Sequence, residues 1–197
     1  MADIRAFIAI PLSDEMLATL GHIAAQLRQG PGGGAGRWVR PEGIHLTLKF
    51  LGDVPGERLS VIGAVLDKVC RAHAPFALRL AALGCFPNAR RPRVIWAGVE
   101  EETGRLERLQ AAVERELARE GFPREERRFT PHLTLARVHE RAAREEVAAL
   151  GSAVATYTAV EMPTMTARAV LLIQSDLRPG GAVYTVRHEA LLAEVCA

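Results

Sequence analysis

The tetrapeptide His-Leu-Thr-Leu occurs twice in this chain, and the repeat restricts both its fold and its chemistry. The copies stand in "GIHLTLKF" (43–50) and "PHLTLARV" (131–138), and their histidines are 132 − 45 = 87 residues apart. Residues so distant are not local neighbours. The repeat is therefore either a chance recurrence in a chain rich in alanine and leucine or a sign of one site built from two matching halves.

The first copy has the alternation of a half-buried β-strand, in which successive side chains lie on opposite faces. An ideal strand places His45, Thr47 and Lys49 on one face. The apolar set is predicted to lie on the other face: Leu46, Leu48 and Phe50. The polar face must then contact water or a ligand, while the apolar face packs on helices.

The second copy has the same pattern, with His132 and Thr134 on one face and the leucines on the other. Arg137 follows five residues after His132 and carries a guanidinium suited to phosphate. Its odd offset puts it on the opposite face of an ideal strand. A bulge, a twist or the strand end is needed to bring Arg137 beside the other two.

Two imidazoles at one site can divide a proton transfer between them. Their unperturbed pKa lies near 6.5, so one ring can take a proton from water while the other gives one to a leaving oxygen. Threonine hydroxyls and an arginine can hold phosphate oxygens. A single copy of the motif would be structural, but two copies favour a metal-free acid and base pair, because neither copy has the surroundings typical of a zinc or iron site.

The order of predicted elements indicates an α+β fold. Strands and helices are mixed without the regular alternation of a parallel sheet, which favours largely antiparallel sheets. Ser13 and Gly30 are predicted to bound the first helix, and Thr103 is a candidate cap for the longest helix. No composition change marks a linker, so we expect one domain, 1–197, made of two related lobes.

Composition and charge exclude several classes of protein. With 49% apolar and 24% charged residues, the chain is typical of a globular protein, and its net charge of +2 does not indicate nonspecific nucleic-acid binding. No apolar run approaches the roughly 20 residues of a membrane helix. The N-terminal residues have no small-residue cleavage site after their short apolar stretch, so we expect no secretory signal. Cys70, Cys85 and Cys196 fit free thiols in a reducing compartment, so we expect the cytoplasm.

A series of segments in this order resembles the two-histidine (2H) phosphoesterase superfamily. The resemblance is strongest to the bacterial and archaeal RNA 2′,3′-cyclic phosphodiesterases, also described as 2′-5′ RNA ligases. It covers nearly the whole chain and rests on five segments: "RAFIAIPL", "RWVRPEGIHLTLKFLGDV", "LGCFPNARRPRVIWAGV", "RRFTPHLTLARV" and "SDLRPGGAVYTV". The paired motif alone would indicate only the superfamily.

The resemblance implies a bilobed α+β fold with pseudo-symmetric lobes, outer helices and a cleft that holds both motifs. It also implies hydrolysis of a terminal RNA 2′,3′-cyclic phosphate to a 2′-phosphomonoester, with no metal and no cofactor. His45 is then expected to be the proton donor and His132 the proton acceptor. Thr47, Thr134 and Arg137 are expected to bind the phosphate.

Lys49 and Phe129 are further candidates for substrate contacts, through phosphate and through base stacking respectively. A solvated lysine and a packed aromatic are the alternatives. The expected partner is RNA with a 2′,3′-cyclic phosphate end, tRNA fragments being one candidate source, and the protein is expected to be a monomer with no membrane contact. Two functional alternatives stay open: 2′-5′ RNA ligation in the same site, and an RNA-end binding protein with incidental activity.

Overall fold

Nine strands and four helices make up the part of the chain that the structure, a computed structural model, describes: residues 3–158, 162–178 and 181–193. The strands are β1 (Asp3–Ile10), β2 (Gly36–Trp38), β3 (Leu46–Pro55), β4 (Phe76–Phe86), β5 (Val94–Glu100), β6 (His132–Val138), β7 (Thr164–Ala167), β8 (Ala169–Arg178) and β9 (Gly181–Leu191). The helices are α1 (Asp14–Gln29), α2 (Leu59–Arg71), α3 (Arg105–Arg119) and α4 (Arg144–Ala155). None of these helices is long and apolar enough to cross a membrane.

The strands form two antiparallel sheets. The first sheet has the order β3-β1-β8-β9 and the second has the order β2-β6-β5-β4-β7. Helices α2 and α3 pack against the first sheet, and helices α1 and α4 against the second. The predicted α+β class, with two antiparallel sheets and outer helices, is confirmed. The assignment of the whole chain to a single domain stays a prediction.

One apolar cluster forms the main core and draws on both sheets and all four helices. The motif leucines belong to it: Leu46, Leu133 and Leu135 are fully buried, and Leu48 is nearly so. A second, smaller cluster lies apart from the main core and joins Phe7 and Ala9 of β1 to β8. The first sheet is therefore apolar on part of both faces, not only on the face toward the helices.

Helix termini show one confirmed and one wrong prediction. Ser13 caps α1, its hydroxyl accepting from the backbone N–H of Met16 at 3.3 Å, and Gly30 follows the last helical residue. Thr103 does not cap α3. The carboxylate of Glu101 accepts from the backbone N–H groups of the first two residues of α3 at 2.6 and 3.2 Å, because Gly104 turns the chain in a left-handed conformation.

A buried ion pair joins β3 to α3. The Lys49 ammonium lies 2.6 Å from a carboxylate oxygen of Glu114, and their side chains are only 3% and 10% exposed. The ammonium also donates to the carbonyl of Pro123 at 2.7 Å, and the same Glu114 oxygen accepts from the backbone N–H of Glu125 at 3.3 Å. The pair thus fixes the segment that follows α3 against the strand that carries the first motif.

We predict that Lys49→Met destabilises the fold by about 3–5 kcal/mol, because it leaves the Glu114 carboxylate buried without its counter-charge. Lys68→Met is the matched control. The Lys68 side chain is 67% exposed and its partner Glu116 keeps two arginines, so we expect a loss below about 1 kcal/mol. Urea unfolding at neutral pH measures both, and equal losses would contradict the assigned burial of the first pair.

Candidate active site

The two motifs lie at the beginnings of two strands that contact each other. His45 directly precedes β3, and His132 is the first residue of β6. The two strands belong to different sheets and are in contact. Thr47 and Thr134 are both half-buried, whereas the leucines on either side of each threonine lie in the core. The structure thus brings together two strands with the predicted division between a polar and an apolar face.

A β-bulge in the second motif brings Arg137 to the face of His132. Along β5 the pairing runs from Gly98 opposite His132 to Trp96 opposite Thr134, then shifts by one residue so that Val94 lies opposite Arg137. Leu135 is the extra residue. Since cross-strand partners share a face, the shift offsets the odd spacing, and the exposed guanidinium joins the histidine and threonine.

The first motif has its bulge at the equivalent leucine, and there it overturns a prediction. Thr47 pairs with Ala9 and Lys49 pairs with Ile8, so Leu48 is the extra residue. The bulge turns Lys49 onto the core face, with Ile8, and away from the face of Thr47. The prediction that Lys49 shares the face of His45 is therefore wrong, and its ammonium is held by the buried pair with α3.

Phe50 lies on the face of Thr47, where the sequence pattern had placed Lys49. It pairs with Phe7, its ring centroid lies 5.9 Å from that of Phe7, and 64% of its surface is exposed. It stands five residues after His45, as Arg137 stands five residues after His132. That shared offset is the signal that could have identified Phe50 from the sequence, where alternation alone put it in the core.

His45 lies against two aromatic rings. The Phe7 ring stacks on the imidazole with a centroid distance of 4.4 Å, and Tyr184 of β9 meets it edge-on at 5.3 Å. Burial lowers the pKa of His45 to about 4, and a hydrogen bond with the backbone of Gly43 only partly opposes this effect. The free protein therefore holds a neutral ring at this position near pH 7.

His132 is held by a backbone carbonyl two residues upstream. Its Nδ1 lies 2.8 Å from the carbonyl oxygen of Thr130. A neutral ring that donates through Nδ1 keeps the lone pair on Nε2 for chemistry. Phe86 meets the ring edge-on at 5.0 Å, and Trp96 lies at 6.4 Å. Each motif histidine is thus positioned by a backbone carbonyl and an aromatic neighbour.

Charges from both sheets act on Tyr184. Burial raises the pKa of its hydroxyl, while the positive charges of Arg137 and Arg5 counteract the increase. Arg137 belongs to β6 of the second sheet, whereas Arg5 and Tyr184 belong to the first. Since Tyr184 also contacts His45, the positive charge of Arg137 in the second sheet acts on the aromatic group next to the first motif.

Phe129 is half-buried and packs against the main core. Part of this ring therefore has a packing role, and its contact with a substrate base stays a prediction. Among the described residues no group of three or more His, Cys, Asp or Glu side chains is arranged to hold a metal ion. Cys70 and Cys85 are free thiols, and Cys196 lies outside the described residues.

The chain is similar to known proteins over most of its length. The profile of the 2′-5′ RNA ligase superfamily matches residues 15–176. A protein of Methanothermobacter thermautotrophicus named RNA 2′,3′-cyclic phosphodiesterase is 36% identical, covering 92% of this chain and 95% of the relative. A protein of the same name from Thermus thermophilus is 38% identical, covering 92% of this chain and 87% of the relative.

Solved structures show the same fold. The Thermus thermophilus protein TT0787 superposes with a TM-score of 0.74 and 29% identity, covering 96% of this chain and 98% of that protein. E. coli LigT in complex with 3′-AMP superposes with a TM-score of 0.74 and 25% identity, covering 98% of this chain and 99% of that protein.

We predict that the imidazole of His45 titrates near pH 4 in the free protein, because Phe7 covers it from water. Bound inorganic phosphate should raise this pKa, since a nearby anion stabilises the imidazolium. Titration of the ring C–H resonances by NMR, with and without phosphate, measures both values. A free-protein pKa at or above the ordinary 6.5, or one that phosphate leaves unchanged, would contradict the assigned environment.

Proposed function

The chain belongs to the 2′-5′ RNA ligase superfamily, and we propose that it hydrolyses RNA terminal 2′,3′-cyclic phosphates to 2′-phosphomonoesters by a two-histidine mechanism. The observation that carries this proposal is that the two His-x-Thr strands contact each other and that a bulge in the second strand adds Arg137 to the face of His132. Such a set combines two titratable rings with donors for phosphate oxygens, as the reaction requires.

Relatives support the cyclic phosphodiesterase activity. Eight similar proteins, 29–38% identical to this chain, carry the name RNA 2′,3′-cyclic phosphodiesterase. The structure of the similar E. coli LigT has been solved with 3′-AMP and with phosphate. The first ligand is a nucleotide, and the second is an inorganic anion. An RNA end that carries a cyclic phosphate contains both a nucleotide and a phosphate group.

His132 is the proposed general base. Its Nδ1 bond to the Thr130 carbonyl leaves Nε2 free to take a proton from water. The activated water attacks phosphorus, and the bond from phosphorus to O3′ breaks. The phosphate stays on O2′, so the product is a 2′-phosphomonoester with a free 3′ hydroxyl.

His45 is the proposed general acid, which protonates O3′ as it leaves. Because its pKa is lowered to about 4 in the free protein, the ring must gain its proton when the anionic substrate binds. The negative charge of the phosphodiester beside the imidazole raises the pKa of the ring, so that the ring is protonated when substrate is bound. Phe7, which excludes water from one side of the ring, strengthens that interaction by lowering the local dielectric.

Thr47, Thr134 and Arg137 are the proposed phosphate ligands. Their hydroxyls and guanidinium are donors on the polar faces of β3 and β6, where charge develops on the non-bridging oxygens. Removing one such donor from an acyl-transfer site costs about 10²–10³-fold in rate, and we expect a similar order for Arg137. The reaction needs no metal in this scheme, because the two rings supply both proton transfers.

Ligation would use the same groups in the same roles, with a 5′ hydroxyl in the place of water. The superfamily to which the chain belongs is that of the 2′-5′ RNA ligases, which supports ligation as a second candidate activity. The 5′ hydroxyl of a second RNA would give its proton to His132 and attack phosphorus, the bond from phosphorus to O3′ would break, and O3′ would take a proton from His45, which leaves a 2′-5′ bond. We propose hydrolysis as the main activity, by a monomer in the cytoplasm, where free thiols such as Cys70 and Cys85 persist.

We predict that an RNA oligonucleotide with a 2′,3′-cyclic end is converted to a 2′-phosphate end, with undiminished rate in excess chelator. Digestion and chromatography distinguish the 2′- from the 3′-phosphate. A 3′-phosphate would contradict the assignment of O3′ as leaving group. Loss of activity with chelator, restored by a divalent ion, would contradict a metal-free mechanism, and binding without turnover would favour an RNA-end binding protein.

We predict that His45→Ala and His132→Ala each lower the rate at least about 10²-fold, the lower bound for loss of a general acid or base. His73→Ala is the matched control, because its Nδ1 also lies 2.8 Å from a backbone carbonyl, that of Val69, away from both motifs. We expect its rate to be unchanged. Circular dichroism should show all three variants folded, and full turnover in both motif variants would overturn the mechanism.

We predict that the pH profile of kcat is displaced to higher pH than that of kcat/KM. The profile of kcat/KM reports the free enzyme, in which burial lowers the pKa of His45, whereas kcat reports the complex, in which substrate raises it. Steady-state kinetics from pH 4 to 9 tests this expectation. Coincident profiles would contradict proton uptake by His45 on substrate binding.

A further inference from the structure

The edge strand β2 carries an arginine that the proposed proton transfers do not use. Arg37 lies directly opposite Arg137 in the antiparallel pairing of β2 with β6. Two residues further along, the backbone N–H of Val39 donates to the carbonyl of Leu135 at 2.8 Å. Since hydrogen-bonded positions recur at every second residue of an antiparallel pair, the two arginines also occupy such a position, with Cα atoms about 5.5 Å apart.

The two arginines form an uncompensated pair of positive charges. Cross-strand partners share a face, so Arg37 extends the polar face to which the bulge brings Arg137, beside His132 and Thr134. Both arginines are exposed, and neither forms an ion pair with a carboxylate in the described part of the chain. Because like charges directly opposite each other destabilise a sheet, the pair points to an anionic ligand.

The glycine-rich segment before β2 fixes the strand that carries the first of these arginines. Gly32 has a φ of 73°, and a Cβ on it would overlap the carbonyl oxygen of Glu146 in α4. A Cβ on Gly33 would overlap the carbonyl oxygen of Arg28 in α1. The indole N–H of Trp38 in β2 donates to the carbonyl of Gly33 at 2.9 Å. The chain can therefore pass close to both helices, and the arginine pair is in place before a ligand binds.

The proposed proton transfers determine which RNA lies next to the pair. His132 takes a proton from the nucleophile and His45 gives one to O3′, and in an in-line displacement these two oxygens lie on opposite sides of phosphorus. The ribose that bears O3′, with the RNA strand attached to it, then lies toward His45. The nucleophile lies toward the second sheet, whose edge strand carries Arg37. This nucleophile is water in hydrolysis, but in ligation it is the 5′ hydroxyl of an incoming RNA.

We infer that Arg37, together with Arg137, binds a backbone phosphate of the RNA that supplies the attacking 5′ hydroxyl. This inference rests on the proposed function, with ligation as its second candidate activity. The first nucleotide of the incoming RNA carries a phosphodiester on its own O3′, and water brings no such anion. A guanidinium can donate two parallel hydrogen bonds to phosphate oxygens, and a phosphate beside the pair also relieves its repulsion. Arg37 is therefore a specificity-determining residue for ligation over hydrolysis.

Arg37→Gln tests this subsite by comparing two reactions of one enzyme. We expect the rate of joining a cyclic-ended RNA to a limiting amount of 5′-hydroxyl RNA to fall about tenfold, near the lower end of what a hydrogen bond to a charged group contributes. The value of kcat/KM for hydrolysis of the same cyclic-ended RNA should stay unchanged. Arg37→Lys should keep most of the ligation rate, because it keeps the positive charge. Gel electrophoresis of end-labelled RNA measures both products.

Arg71→Gln is the matched control for loss of one exposed positive charge. Arg71 lies in the last turn of α2, away from both motifs, and we expect its loss to change neither reaction. Equal losses of ligation and hydrolysis in Arg37→Gln would overturn the subsite, since Arg37 would then act on the reacting phosphate. Slower hydrolysis of a cyclic-ended oligonucleotide, but not of a mononucleoside 2′,3′-cyclic phosphate, would also overturn it, since the strand on the 5′ side would then contact Arg37. An unchanged ligation rate would overturn it as well.

A binding measurement separates failure of the subsite from failure of the proposed function. Fluorescence anisotropy follows a labelled RNA with a 5′ hydroxyl and no terminal phosphate, in excess mononucleoside 2′-phosphate, which competes for the site of the terminal nucleotide. Arg37→Gln should raise the Kd about tenfold and lower the slope of log Kd against log salt concentration by about 0.7, the value for one phosphate contact to a single strand. Arg37→Lys should keep the slope. If cyclic ends are neither hydrolysed nor joined, these shifts still support an RNA subsite at the arginine pair, and an unchanged Kd and slope overturn it.

Discussion

The burial of the motif leucines is the interaction on which the site depends. Leu46, Leu133 and Leu135 are fully buried and Leu48 is 3% exposed, and burying each such side chain contributes roughly 1.5–3 kcal/mol. Because strand side chains alternate with a period of two, a slip of one residue would expose these leucines and bury the histidines and threonines. The core therefore sets the register of both strands, and the register sets which groups face the site.

Each motif strand then departs from regular pairing at its second leucine. With an extra residue at Leu48 and Leu135, two consecutive side chains lie in the core, and the next one returns to the polar face. The bulge therefore adds a third side chain to each His-x-Thr pair: Phe50 in the first strand and Arg137 in the second. The pair formed by Lys49 and Glu114 follows from the same shift, because it turns the lysine toward α3.

Much of the fold was predictable, because alternation and helical spacing are local properties of the sequence. The α+β class, the two motif strands and the ends of α1 follow from them. The face of the sheet on which Lys49 lies could not be predicted in this way. A bulge depends on how the strand pairs with β1, and the strand's own residues do not encode that pairing. The cap of α3 failed for a similar reason: Glu101 reaches the helix only through the left-handed turn at Gly104. Arg137 was identified by its chemistry, and its position required the bulge.

The difference between Phe50 and Arg137 has a directional consequence. Two identical half-sites would offer a phosphodiester two opposite orientations of equal free energy. The exposed aromatic ring of Phe50 on one half and the guanidinium of Arg137 on the other make those orientations unequal, since only one places the anion against the cation. Duplicated backbone geometry with divergent side chains thus makes the two halves of the site chemically unequal.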